Sequence, residues 1–445
     1  MEWYWTLAYL IGAILVLMAA GLPVGIAFIT VNVVAAVIYL GGSGDFFEIS
    51  ERGVGILASN AFESMTTFAL VPIPMFLLMG ELFFHTGLAN RMFTSVEKLM
   101  GRVPARLSYV TVAGGTAFAT LSGSSMGSTA LLGTLMVPEM TKRGYKKTMS
   151  IGPILGTGGL AMMIPPSALA VLLGTLAELD IGKLLIAGVL PGLILAAMYI
   201  VLIYVMAKRD PDAAPAYDIE YIPWARRFKL LFRDVVPMVS VVIGVIILIM
   251  GGIATPSEAA AFGCLGVLLL AVCYRSLTLK STWTSMEGAS RVTIMALLII
   301  FGSATFSQIL AFSGASSGLI NWVTQFDLDP LVMLMVMFGI LLVLGMFMDQ
   351  LSMMLLTVPI FFPLAIKFGF DPIWFGVIIL LALEISFTTP PFGLLLFVMQ
   401  GVSPPGTKFS EICIAAIPFM ACAMLLVALI IIFPGIATWL PSLSN

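Results

Sequence analysis

Apolar runs of membrane-spanning length recur from Trp3 to Leu440, separated by short polar or charged stretches. A crossing needs about 20 apolar residues. The runs 3–20, 22–42, 67–85, 148–176, 183–207, 234–252, 256–275, 292–313, 371–400 and 411–435 qualify, and they predict a polytopic all-α membrane protein. The apolar text is punctuated in the same way twice. One half reads Ser122-Gly123-Ser124-Ser125, then Pro138, Gly144 and Pro165-Pro166-Ser167; the other reads Met348-Asp349-Gln350-Leu351, then Pro363, Gly369 and Pro390-Pro391-Phe392. An offset of 225 positions carries Ser124, Pro138, Gly144, Pro165 and Pro166 onto Asp349, Pro363, Gly369, Pro390 and Pro391. A duplicated apolar element interrupted by glycine and proline marks a secondary transporter, with its site where the two elements meet.

Basic residues orient the runs, because cytoplasmic connections are enriched in Lys and Arg. Lys208, Arg209, Arg226, Arg227, Lys229 and Arg233 mark one such connection, Arg91, Lys98, Arg102 and Arg106 a second, and Lys142, Arg143, Lys146 and Lys147 a third. The 43–66 connection carries Asp45, Glu48, Glu51 and Glu63 against Arg52 alone, and is expected outside. The stretch from Arg106 to Lys142 is basic at both ends and apolar between them. Two arms of about 16 residues, rising about 1.5 Å each, reach only ~24 Å, short of a hydrocarbon core of ~30 Å. A re-entrant hairpin with residues 121–125 at its tip satisfies both facts. Non-helical backbone at membrane depth is tolerated only against protein or a water-filled cavity.

The same count places Asp327 and Asp329 outside and makes 330–366 a second hairpin, with its tip at 345–351. The two repeats then run in opposite directions through the membrane. The expected division is scaffold helices over 1–66, a first repeat over 67–207 with its hairpin at about 107–141, a cytoplasmic connection and scaffold helices over 208–275, and a second repeat over 292–435.

Composition agrees. Of 445 residues, 60% are apolar and 10% charged, against about 25% charged in soluble domains, and the mean hydropathy is +1.11. A net charge of −2 says nothing about partners, and no feature points to nucleic acid. The opening MEWYWTLAYL lacks a basic leader region and reads as a retained first helix, with Trp3, Tyr4, Trp5 and Tyr9 suited to an interfacial belt. Cys264, Cys273, Cys413 and Cys422 have neither metal nor redox spacing. A single histidine excludes a multi-histidine centre, and neither a zinc-protease motif nor a phosphate-binding glycine loop occurs. An enzyme is not expected.

The tip residues carry the candidate chemistry. Unwound backbone between half-helices supplies oxygen ligands to sodium-like cations, which nominates Ser122, Gly123 and Ser124; a kink or a small-residue packing site is the plainer alternative. Pro166 and Pro391 are expected at the first turn of a second half-helix, aiming free N–H groups at an anion such as a carboxylate. Ser124, Ser125, Pro166, Ser167, Gln350 and Pro391 are therefore the substrate candidates, with hairpin capping the alternative for Gln350. An aspartate within apolar sequence is costly in lipid, so Asp349 is assigned to a sodium ion with Gly345, Thr388 and Thr389. Glu384 leaves two readings open, proton or sodium coupling and a buried hydrogen bond to a neighbouring helix. Thr255-Pro256-Ser257-Glu258 has the form of a capping box, and His85 reads as an interfacial histidine.

The runs PIPMFLLMGELFFHTGLANRMF, LSGSSMGSTALLGTLMVPEM, IPPSALAVLLG, PGLILAAMY, TPSEAAAFG, GMFMDQLSMMLLTVPIFFPLA and TTPPFGLLLFVMQG resemble the large membrane subunit (DctM-like) of tripartite ATP-independent periplasmic (TRAP) transporters, over essentially the whole chain. The resemblance implies an elevator-type inverted-repeat transporter that imports organic acids through the bacterial inner membrane on a sodium gradient. It implies a small four-helix membrane subunit and a periplasmic solute-binding protein as partners. The sequence departs from the family after Gly101-Arg102, where VPARLSY replaces a common Pro-Gly-Gly-Leu run. A stand-alone cation-coupled organic-anion transporter of related fold is the alternative reading. A channel would need a continuous polar ring, which the scattered hydroxyls do not supply.

Overall fold

The structure, a computed structural model, describes residues 2–42, 45–66, 70–100, 103–215, 223–326, 328–391 and 393–443. The start of the 67–85 run, Gly101-Arg102, the middle of the basic connection (216–222), Asp327 and Phe392 lie outside the described residues. Regular structure among the described residues is helical throughout. Three helices lead: α1 (Trp3–Ala19), α2 (Val24–Tyr39) and α3 (Phe46–Thr66). A first series follows, α4 (Pro72–His85), α5 (Leu88–Leu99), α6 (Arg106–Ser122), α7 (Ser125–Lys142), α8 (Lys147–Met163), α9 (Ala168–Leu176) and α10 (Ile181–Arg209). The short α11 (Trp224–Leu230) runs through a π-helical turn at Leu231–Val235 into α12 (Val236–Met250), and α13 (Pro256–Cys273) comes next. The second series is α14 (Leu279–Phe312), α15 (Ala315–Thr324), α16 (Pro330–Gly345), α17 (Gln350–Lys367), α18 (Pro372–Thr388), α19 (Leu394–Val402) and α20 (Phe409–Ile432), closed by α21 (Gly435–Leu443).

The repeat read from punctuation is a repeat of helices. The 225-residue offset carries both ends of α7 onto those of α17, and both ends of α8 onto those of α18. Gly144 (φ 79°) and Gly369 (φ 78°) take the same left-handed turn, a conformation in which a side chain is disfavoured. The peptide bonds Pro165-Pro166 and Pro390-Pro391 are both cis.

Among the described residues six helices are long and apolar enough to cross a membrane, or eight if each of two bent pairs is one span. Those pairs bend by 64° between α4 and α5 and by 47° between α8 and α9. With 17 and 16 residues, α6 and α16 each rise only ~25 Å. They are the leading arms of the two hairpins, and α7 and α17 turn back against them.

Three segments differ from the sequence reading. The 43–66 connection holds a 21-residue helix, α3, whose polar residues break up the apolar run that would have announced it. It packs on α2 so closely that a Cβ on Gly53 would stand 2.6 Å from the Ala36 carbonyl oxygen. The basic stretch after His85 holds α5, an amphipathic helix that buries Leu88, Ala89, Met92, Phe93 and Ser95 on one side. The 292–313 run begins earlier, since α14 extends back to Leu279 through polar residues capped by Thr278. The Thr255–Glu258 capping box forms as expected, with Thr255 N–H donating to Glu258 Oε2 (2.8 Å) and Glu258 N–H to Thr255 Oγ1 (3.3 Å). His85 closes α4 and lies 3.1 Å from Glu81.

The centre of the molecule is α8, buried at every residue from Met149 to Met163. Lipid provides little hydrophobic drive between helices, so packing relies on small residues that let neighbours approach. Gly152 and Gly156 receive the rings of Phe419 and Tyr199, Gly158 receives Thr129, and Gly159 receives the side chain of Glu384. A second apolar cluster joins Leu10, Ile14, Phe28, Val31 and Phe306 to Met348, Leu355 and Leu356 of the second hairpin.

Candidate functional site

The first tip is built by a left-handed glycine followed by a capping serine. Gly123 (φ 59°) ends α6, and Ser124 is the N-cap of α7, its Oγ accepting from Gly127 N–H at 3.1 Å. Ser122 closes α6, and its side chain lies outside the described residues. The tip rests on the first helix break: a Cβ on Gly123 would lie 3.7 Å from the Pro166 carbonyl oxygen. Ser125 is buried, and its hydroxyl makes no hydrogen bond within the protein. One turn on, the fully buried Thr129 hydroxyl is likewise unpaired, and it faces Gly158 beside Leu395 of α19. Two unpaired hydroxyls in one buried wall are costly unless a polar guest meets them. Thr129 was missed from the sequence, although its spacing of four from Ser125 was the available signal.

The second tip uses an aspartate where the first uses a serine. Asp349 is the N-cap of α17 and partly buried; its Oδ2 accepts from Leu351 N–H (3.0 Å) and Ser352 N–H (3.2 Å), and its Oδ1 from the Ser352 hydroxyl. Only Oδ1 retains a lone pair beyond these bonds. Gly345, the last residue of α16, sits so close to α18 that a Cβ would fall 2.1 Å from Ser386 Oγ. Two residues on, Thr388 Oγ1 donates to the Ile385 carbonyl at 3.0 Å, and Thr389 Oγ1 donates to the same oxygen at 2.7 Å. Both threonine oxygens keep lone pairs. Gly345, Thr388 and Thr389 are thereby gathered on one side of the second break, with Asp349 at the adjoining tip.

The breaks occur where the proline pairs predict them, but the prolines do not open the second half-helices. Pro166 and Pro391 lie within the breaks, and the half-helices start at Ala168 and Leu394. The reason is local. Ser167 takes the N-cap position and accepts from Ala170 N–H at 3.2 Å, while Gly393 caps α19 without a side chain. Ser167 is fully buried and Pro391 exposed. Gln350 is buried, with its Nε2 3.4 Å from Met162 Sδ in the last turn of α8. That contact ties the second hairpin to the first broken helix, while α7 of the first hairpin lies along α19 through Gly133 and Val402. Each hairpin therefore contacts helices that flank both breaks. Glu384 lies behind this junction, with Tyr199 hydroxyl 3.5 Å from its Oε1. Among the described residues no group of three His, Cys, Asp or Glu side chains is placed to hold a metal. The site's available ligands are hydroxyls, carbonyls and one carboxylate, the oxygen donors that hard cations take.

The comparisons with known proteins agree with this architecture. Residues 11–436 match the family described as "Tripartite ATP-independent periplasmic transporter, DctM component". The C4-dicarboxylate TRAP transporter large permease protein DctM of Pseudomonas aeruginosa is 31% identical over 91% of this chain and 93% of its own length. The isethionate TRAP transporter permease protein DctMQ of Oleidesulfovibrio alaskensis is 29% identical over 85% of this chain and 58% of its own. The Alcanivorax borkumensis YdaH transporter shares the fold, with a TM-score of 0.63 at 13% identity over 88% of this chain and 90% of that one. The chain is a multi-pass membrane permease and not an enzyme, and it belongs to the DctM large-permease family of TRAP transporters.

Proposed function

We propose that this permease imports a small organic anion across the bacterial inner membrane, driven by sodium, with an elevator-like displacement of its hairpin-bearing part. The observation that carries the reading is the crossed arrangement of two register-matched hairpin tips and two helix breaks. In this reading one sodium ion is held at Gly123 and Ser124, with Ser122 beside them. A second is held by Asp349 with Gly345, Thr388 and Thr389. The anion lies between, near Ser125, Pro166, Ser167, Gln350 and Pro391, with Thr129 added by its unpaired hydroxyl. Opposite orientation of the two repeats would let the same junction face either side in turn.

The working unit includes a small four-helix membrane subunit and a periplasmic solute-binding protein, as the tripartite family description supports. The combined name and greater length of the DctMQ relative support the small subunit. Relatives named for a C4-dicarboxylate and for isethionate support an anionic substrate.

The test is thermal. The purified chain, alone and co-expressed with its small subunit, is melted in sodium and in potassium or choline at equal ionic strength. A ligand that binds only the folded state raises the melting temperature by mass action. The reading expects a sodium-specific rise that Ser124→Ala and Asp349→Ala each weaken. No sodium preference in either preparation would overturn it.

A further inference from the structure

The helix that enters the membrane at α11 carries a surface that transport does not use. α11, the π-helical turn and α12 form one continuous helix of 27 residues, Trp224–Met250. It is about 40 Å long, against a hydrocarbon core of ~30 Å. The half that ends at Met250 is apolar, so the surplus length falls at the α11 end. Between Trp224 and Arg233 every charged residue is basic: Arg226, Arg227, Lys229 and Arg233. Among the described residues the first three make no ion pair. Asp234, the next acid along the helix, is already engaged by Arg91 and Ser95, and Arg233 reaches it only at 4.0 Å.

Beside these cations runs a line of rings. Trp224, Phe228 and Phe232 recur at every fourth residue and are 68%, 53% and 62% exposed. Their centroids are 6.1 and 6.3 Å apart, and the Arg227 guanidinium lies 5.7 Å over the Trp224 ring. The same exposed face continues along α12 through Val236, Ile243 and Ile247, so the rings stand at the head of a face that meets acyl chains. The base of the surface is fixed. Tyr274, at the end of α13, donates to the Arg233 carbonyl, and Arg91 lies 4.2 Å over the Tyr274 ring. The Arg233 side chain is left 60% exposed.

We propose that α11 is a binding surface for anionic phospholipid. Headgroup phosphate lies among Arg226, Arg227, Lys229 and Arg233, and the acyl chains run down the ring stripe onto α12. Two features together select this occupant. Clustered Lys and Arg at the end of a membrane helix attract lipid of net negative charge, and aromatic rings sit at headgroup level. A free anion would leave the stripe uncovered, and a zwitterionic lipid would leave the cations unmatched. The inference needs neither sodium nor a transported anion, so it stands or falls apart from the transport reading.

Local fluorescence quenching tests it. The full chain, freed of its native cysteines, carries a bimane on Ala225→Cys and is placed in phosphatidylcholine nanodiscs. These hold a small fraction of either phosphatidylglycerol or phosphatidylcholine labelled with a nitroxide on the acyl chain. The labelled phosphatidylglycerol should reach half-quenching at a mole fraction about fivefold lower or better, since one Lys or Arg near an anionic surface supplies about that factor. A bimane on Leu193→Cys, exposed in the middle of α10, should show no preference. The triple variant Arg226→Gln, Arg227→Gln, Lys229→Gln should abolish the preference at Ala225→Cys, and the charge-keeping Arg226→Lys, Arg227→Lys should retain it. Equal quenching by the two lipids, or a preference that survives the triple variant, would overturn the proposal. So would its loss when inorganic phosphate is added at equal ionic strength, which would assign the cations to a soluble anion. Its loss on co-expression with the small subunit would assign the face to that protein instead.

Discussion

Ser124 and Asp349 occupy one repeat position and meet one local need, the first turn of a helix whose leading N–H groups lack partners. The serine accepts from the N–H of Gly127, and the aspartate accepts from two N–H groups and from the Ser352 hydroxyl. Replacing either by alanine therefore removes a cap as well as a candidate ligand, at a cost of about 1 kcal/mol. Asp349→Ser separates the two effects, because serine is also a good cap. Its melting temperature in choline should stay near wild type while the sodium-dependent rise falls, and an undiminished rise would confine Asp349 to capping. Ser125→Ala and Thr129→Val should leave melting in choline unchanged or raised, since an unpaired buried hydroxyl is a cost, while lowering affinity for the transported anion. Radiolabelled uptake with the reconstituted system reads that loss. The tip residues were legible in the sequence because polar letters stand out in apolar text. Thr129 left only its spacing of four from Ser125 as a signal, and Ser386 and Tyr199 left none, because the residues they meet, Gly345 and Glu384, lie on other helices and only folding brings them together.

At the scale of elements, what could be read depended on contrast. The first hairpin followed from basic residues at both ends of a segment too short to cross twice, the second from the repeat and the count of crossings, and the breaks from paired prolines. By contrast, α3 and α5 are amphipathic, and in a chain this apolar their mixed faces resemble connections. The displacement of the prolines into the breaks reflects Ser167, a better N-cap than the proline-first arrangement provides. Two predictions belong here. Thr255→Ala dismantles the capping box of α13 and should cost about 1 kcal/mol, read as lower thermal stability without change in sodium response. Asp234, almost fully buried, accepts from Arg91 Nε (2.6 Å) and Ser95 Oγ (3.0 Å), which pins α5 to the start of α12 with Arg91 over the Tyr274 ring. Asp234→Ala should cost about 2–3 kcal/mol, below the usual range for a broken buried pair because Arg91 is partly exposed.

For the whole molecule, orientation is the quantity still to be measured. The distribution of basic residues predicts α5 on the cytoplasmic side and the start of α3 on the other. Cysteines introduced one at a time at Lys98 and Glu48, in a chain freed of its native cysteines, should react with a membrane-impermeant maleimide from opposite faces of intact cells. Labelling of both from the same face would overturn this assignment of sides.

The encasement of α8 has a mechanical consequence. A rod whose surface is notched by four glycines that together receive side chains from four neighbouring helices, Phe419 reaching two of the notches, resists sliding along its axis past those side chains. Phe419, Tyr199, Thr129 and Glu384 act as keys in keyways, and they belong to α20, α10, α7 and α18. The elevator-like displacement proposed above would then carry those four helices and α8 together, with its bearing surface elsewhere in the fold.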